Sequence, residues 1–181
     1  GYGFHLTHPF LRTRIQNLTG EFGFESKDAT QFLLGDLFSR DKIRMLRAGL
    51  NYDWIDRTGR NFIALSIFQG LSDALGAMES NDTKSSRFGA DNRFTKAYLN
   101  LVRVQRIVDR VSIILRGAGQ ATTRPLVAIE EFYIGGADSV RGYPPGEFLG
   151  DDGYNISTEL RVSPLSNQEI LQLALFVDHG G

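Results

Sequence analysis

The 181-residue chain contains no cysteine, carries almost no net charge and has no long apolar run. Without cysteine there is no disulfide framework and no thiolate zinc site. Compartment stays open on this point, because exported proteins can avoid thiols too. No segment reaches the roughly 18 consecutive apolar residues that a membrane-spanning helix needs. A formal net charge of −1 excludes the bulk basic field of a nucleic-acid binder and a polybasic membrane patch. There is no initiator Met and no signal peptide. The opening Gly1-Tyr2-Gly3-Phe4 already reads as a strand. The chain therefore reads as an internal piece of a longer protein, and its missing targeting signals carry no weight. Helical periodicity is weak throughout.

What is present is alternation with a period of two, the mark of β-strands. It is clearest over Gly153 to Ser163, where Tyr154, Ile156, Thr158, Leu160 and Val162 share one face. Asn155, Ser157, Glu159, Arg161 and Ser163 share the other. Ile170 to Asp178 repeats the pattern, and so do Arg110 to Ala121, Ile15 to Lys27, Leu46 to Trp54 and Phe62 to Gln69. Phe94 to Arg106 and Val127 to Ile134 read as less regular strands. With the short opening strand, the pattern predicts about nine. Thr7-His8-Pro9, Asp56 to Gly59 and Thr123-Arg124-Pro125 read as turn-like linkers. Longer connections are expected near Asp28 to Arg40 and Gly70 to Asn92.

Such alternation fits a soluble sandwich or a membrane barrel with the faces reversed. Several predicted strands exceed the usual soluble length of about 5–6 residues and approach the roughly 9–11 of a tilted membrane strand. Glu21, Glu25, Arg116, Glu159 and Arg161 stand in mid-strand opposite aliphatic faces, while Tyr52 and Trp54 sit at a strand end, as an interfacial girdle requires. The fold class indicated is an all-β, antiparallel transmembrane barrel. A soluble β-sandwich binding module is the alternative.

Phe132 to Leu160, FYIGGADSVRGYPPGEFLGDDGYNISTEL, is the densest stretch of signal. Its loop is too rich in aromatic and β-branched residues for disorder. Gly135, Gly136, Gly142 and Gly146 let it double back, with Val140, Tyr143 and Phe148 available to pack. The motif IGG-x-x-SVRGY-x-x-GE-x-x-GDDGY-x-x-x-x-EL, followed by LFVDHG, resembles the outer-membrane transporters of two-partner secretion, of the ShlB/FhaC/HecB type within the BamA superfamily. His8 to Arg14 with Gln16-Asn17-Leu18 resembles that family's "YP-hydrophobic-hydrophobic-RSR-x-x-NL" segment. Phe94-Thr95-Lys96 with Arg103 to Arg106 resembles its "FTK…RxQ" strand, and Arg116 to Gln120 its "LRASGQ" segment. The likeness touches nearly the whole chain.

The resemblance implies a sixteen-stranded outer-membrane barrel of a Gram-negative bacterium, monomeric when complete and preceded by two POTRA domains. Residues 1–181 would be one partial barrel domain without those POTRA domains. The loop at about 135–153 would be the sixth extracellular loop, folded into the lumen. The implied activity is conduction, not catalysis: secretion, with or without activation, of a large exoprotein of the haemolysin or adhesin class, with lipid around the barrel and no cofactor. A barrel-assembly factor is the rival within the superfamily. Arg141 would pair with Asp178 of the strand motif, which also contains Phe176 and Gly180. Glu159, inward-facing on the intervening strand, is a second candidate partner. The loop motif further comprises Glu147, Gly150 and Asp151. Counting hairpins back from this loop places Gly70 to Asn92 on the periplasmic side, where connections should be short, and that conflicts with its length.

Other constellations are weaker. Glu147, Asp151 and Asp152 lack the alternating spacing of a calcium loop. His5, His8 and His179 are scattered, with no nucleophile–base unit. Glu130 and Glu131, read as neighbours on a strand, would point to opposite faces and so form no acid–base pair. The basic run Arg103 to Arg110 reads as a strand end and turn, not a nucleic-acid surface.

Overall fold

The computed structural model describes residues 1–79, 82–165 and 170–181. Ten strands follow in chain order: β1 (Tyr2–Arg12), β2 (Gln16–Leu33), β3 (Asp36–Ile55), β4 (Gly59–Gly70), β5 (Thr95–Val108), β6 (Val111–Thr122), β7 (Phe132–Ile134), β8 (Phe148–Gly150), β9 (Gly153–Val162) and β10 (Leu173–Gly180). Eight of them form one sheet in the order β1-β2-β3-β4-β5-β6-β9-β10, with β7 and β8 as a separate pair. Every pairing is antiparallel. The only helical turn among the described residues is a 3-10 turn at Ala128–Glu130.

Residues directly opposite in antiparallel register share a face. Following the register across the sheet gathers Leu6, Phe22, Leu50, Leu65, Leu99, Leu115, Ile156 and Leu175 on one face, where all stand exposed. The other face carries Glu21, Arg47, Ser66, Tyr98, Gln120, Ser157, Glu159 and Asp178. An exposed aliphatic face backed by a polar face under loops is the inverse of a soluble sandwich and the arrangement of a membrane barrel wall. Tyr52 and Trp54 stack 4.8 Å apart on the apolar face, close to the end of β3.

Four expectations are corrected. Val127 to Ile134 is not a wall strand: it holds the 3-10 turn and the three-residue β7, so the wall has eight strands and not nine. Removing that strand reverses the hairpin count. The connection from Gly70 to Thr95 then lies at the same end of the sheet as the one from Thr122 to Gly153, and its length no longer conflicts with its side. Asp28 to Arg40 is not a loop but the distal part of a long β2–β3 hairpin, closed by Leu34 (φ 54°) and Gly35 (φ 95°). Positive φ at both central residues suits a tight two-residue turn. Thr7-His8-Pro9 is not a linker either. It lies within β1, where Pro9 sits beside a bulge on an edge strand, one of the places a sheet tolerates proline. At the other end of the chain, Leu171 and Gln172 precede β10 and do not belong to it.

The long hairpin creates the one dry cluster of the described residues. β2 and β3 have 18 and 20 residues, well beyond the roughly 9–11 that cross a bilayer. Against the projecting part of β3 the connection after Gly70 lays its own backbone. Leu71 N–H donates to Arg44 O (2.8 Å), Met78 N–H to Lys42 O (2.9 Å), and Arg40 N–H to Lys84 O (2.7 Å). An otherwise open strand edge is thereby satisfied. Ile43, Met45, Met78, Ala90, Phe94, Leu126 and Val127 close together there, with Phe68 alongside.

Candidate functional site

The connection between β6 and β9 enters the sheet's polar side as a hairpin finger. β7 and β8 form its stem, with Phe132 opposite Gly150 and Ile134 opposite Phe148. Beyond the stem the chain reverses through Gly135 (φ 115°) and Gly136 (φ 94°), where Gly136 N–H donates to Tyr143 O at 2.9 Å. A Cβ on Gly135 would run into the carbonyl oxygen of Pro144, so the close approach requires glycine. Tyr143 and Phe148 meet edge-on with ring centres 5.5 Å apart. The finger lands on β10 at Gly180. A Cβ there would come within 3.0 Å of Val140 Cγ2 and 3.1 Å of Ile134 Cγ2.

This landing carries Arg141 to the sheet wall. Its Nε donates to Asp178 Oδ2 and its Nη2 to Asp178 Oδ1, each at 2.7 Å, a bidentate fork. The Arg141 backbone N–H adds a third bond to Asp178 Oδ2 at 3.0 Å. Nη1 donates to Glu159 Oε2 at 2.7 Å and Nη2 to Ser157 Oγ at 2.9 Å. Beneath the guanidinium lies the Phe176 ring, its centre 3.5 Å from Cζ, a cation–π contact. The register explains the convergence. Ser157 is opposite Asp178 and Glu159 opposite Phe176, so four residues of the polar face on β9 and β10 surround one arginine. Glu159 also accepts from Arg161 Nε at 2.5 Å and lies 3.7 Å from Arg116 Nη1, which ties β6 into the network.

The root of the finger is fastened separately. Glu130 at the 3-10 turn accepts Lys27 Nζ (2.8 Å) from β2 and Lys96 Nζ (2.6 Å) from β5. Gln120 Nε2 from β6 donates to Glu130 O (3.1 Å) and to Asp151 O (2.9 Å), joining the two ends of the loop. Arg87, from the connection after β4, bonds Asp151 Oδ1 (2.5 Å) and Leu126 O (2.7 Å) and pairs with Glu131 (3.1 Å). Burial pushes the Glu130 carboxyl up, but the charges and hydrogen bonds of Lys96 and Lys27 outweigh it and hold the group below its ordinary value. Asp151 follows the same logic: desolvation raises it, while Arg87 and the Leu126 N–H bring it lower.

The sequence-predicted residues thus divide. Arg141, Asp178, Glu159, Phe176, Gly180 and Val140 come together at the tip. Gly135, Gly136, Gly142, Tyr143 and Gly146 shape the turn between stem and tip, with Gly142 at φ 105° and Gly146 at φ 70°. Glu147 is exposed at the finger's surface. Gly150 and Asp151 belong to the root. Asp151 serves an arginine, and no group of three His, Cys, Asp or Glu suited to a metal occurs among the described residues. His8 packs on Phe10 and His179 on Tyr154, far apart in the sheet. Glu130 and Glu131 do go to different partners, as expected, but from a turn and not a strand. Sequence reasoning missed Ser157, Lys27, Lys96, Gln120 and Arg87. The alternation already put Ser157 on the face of Glu159, but only the register sets it opposite Asp178.

Comparison with known proteins places this geometry. The model of one family, haemolysin secretion/activation protein ShlB/FhaC/HecB, matches residues 1–181. The heme/hemopexin transporter protein HuxB of Haemophilus influenzae is 26% identical over 182 residues, covering 98% of this chain and 32% of HuxB. The chain therefore spans about a third of the length of that relative. Among solved structures, CdiB from Escherichia coli superposes with a TM-score of 0.77 at 22% identity, over 91% of this chain and 30% of CdiB. CdiB from Acinetobacter baumannii gives 0.75 at 20% identity, over 98% and 31%. At that identity the structures speak for the fold alone, and they match it as part of a larger barrel.

Proposed function

The chain belongs to the haemolysin secretion/activation family ShlB/FhaC/HecB, a family of secretion transporters and not of enzymes, and on that premise we propose that the complete protein is an outer-membrane pore for two-partner secretion. Its cargo is a large, β-rich exoprotein of the haemolysin or adhesin class, moved without making or breaking a covalent bond. The apolar sheet face meets lipid, the polar face lines the lumen, and the full-length protein works as a monomer. The end of the sheet with the long connections faces the cell exterior, following the loop-length asymmetry of such barrels.

The observation that carries this reading is the grip on Arg141. An arginine donating five hydrogen bonds to three wall residues and seated on an aromatic ring is held in one orientation. A loop that only needed covering would not require such directional bonding. The clamp holds the finger in the transport-competent position. Secretion by full-length Arg141→Ala tests this: the exoprotein should accumulate inside the cell while the barrel still reaches the outer membrane. Wild-type secretion by that variant would overturn the role.

A further inference from the structure

The finger is held at two places that share no residue. At the tip, Arg141 has a side chain 22% exposed and grips β9 and β10. At the root, Glu130 is 3% exposed and grips Lys96, itself 8% exposed, from β5, and Lys27 from β2. Those wall strands are not the ones the tip uses. Beside the root lies the dry cluster containing Leu126 and Val127, which shields the Glu130–Lys96 pair from water, whereas Lys27 at the root is 41% exposed and the Arg141 side chain at the tip 22% exposed over buried carboxylates. The two ends of the loop are joined at this point, because Gln120 bonds to both Glu130 and Asp151 and Arg87 bonds to both Leu126 and Asp151.

We infer that Glu130 is a positioning residue: its buried bridge to Lys27 and Lys96 fixes the root of the loop to the wall independently of the Arg141 clamp and aims the finger at β10. This rests on the reading of the loop as the element whose seating sets transport. Loss of the tip clamp then frees the finger from about residue 133 to 149 while the root stays in place. Loss of the root disturbs both, because the stem strands β7 and β8 begin and end there. A buried carboxylate facing two ammonium groups suits this task, since its loss leaves Lys96, itself 8% exposed, unpaired in a dry site.

The test uses the full-length protein in lipid vesicles, with nitroxide labels on introduced cysteines and pulsed dipolar distances. One pair joins Ile129 at the root to Leu101 on β5, a second joins Tyr143 at the tip to Leu101, and a control pair joins Leu6 on β1 to Leu101, four strands apart in the wall. Arg141→Ala should broaden the tip distance and leave the root distance narrow. Glu130→Gln should broaden both and leave the control unchanged. Should Glu130→Gln fail to assemble, Lys27→Gln with Lys96→Gln asks the same question with the carboxylate kept. A root distance that stays narrow in the root variants, or that broadens with Arg141→Ala, overturns the inference. Secretion measured on the same Arg141→Ala protein keeps the two readings apart. Normal secretion with the distances as stated removes the tip's transport role and leaves the root assignment standing. Lost secretion with an unmoved root distance in the root variants does the reverse.

Discussion

Tip and root of the same loop solve one electrostatic problem in opposite ways. At the tip, one cation is surrounded by two carboxylates, a hydroxyl and an aromatic ring. At the root, one carboxylate is surrounded by two cations. The tip is directional, since a guanidinium fork fixes orientation. The root is compact, since ammonium groups act as point charges that tolerate small rotations. Directional bonding belongs where a position must be selected, and point-charge anchoring where the chain must simply stay attached.

The largest effect expected from breaking this comparison is at the root. Glu130→Gln leaves Lys96 without its carboxylate in a dry setting, a loss of about 3 kcal/mol or more. It should appear as a lower temperature for loss of the folded barrel band on unheated gels. Arg141→Ala comes next. The Asp178 and Glu159 carboxylates it leaves are 2% and 6% exposed under the seated finger, but release of the finger returns them to lumenal water, so the cost falls to about 2–3 kcal/mol, or roughly 30- to 150-fold in the docked population. The barrel's melting should change less than with Glu130→Gln, and secretion should change more. Gly180→Ala is smaller: its Cβ would press on Val140 and Ile134, costing about 1–2 kcal/mol. Val140→Ala should relieve it, so the double variant should secrete better than Gly180→Ala alone.

Acid separates the regions most gently. Glu130 and Asp151 both titrate below their ordinary values of 4.5 and 3.8. Groups depressed in the folded state contribute stability that is full above the ordinary value and lost as pH falls through the lowered one. Root protection against added protease should therefore be flat from neutral pH down to about 5 and fail only below roughly 4.

Much of the wall could be read from the chain because alternation is a local property. Leu46 to Trp54 and Gly153 to Val162 declare their faces without help from neighbours. The tip was also legible, through the motif that contains Arg141 and the strand that contains Asp178. Val127 to Ile134 was misread because Val127, Ile129 and Phe132 look like strand residues when only composition is weighed. Val127 is buried instead by packing on the distal hairpin and the 71–94 connection, Phe132 lies against Tyr98 of β5, and Ile129 stays exposed, none of which a local pattern reveals. The root was invisible for a related reason. Lys27, Arg87, Lys96 and Glu130 are separated by up to 103 positions, and nothing in their spacing shows that they meet.

The absence of cysteine from this chain permits a direct test of the central claim, that the seated finger is the transport-competent state. A Cβ at Gly180 lies 3.0 Å from Val140 Cγ2, so Val140→Cys with Gly180→Cys places two thiols where a disulfide can replace the clamp. In full-length Arg141→Ala carrying this pair, oxidation should restore secretion and reductant should abolish it again. If the oxidised, crosslinked protein remains unable to secrete while its barrel is intact, seating of the finger is not what transport requires.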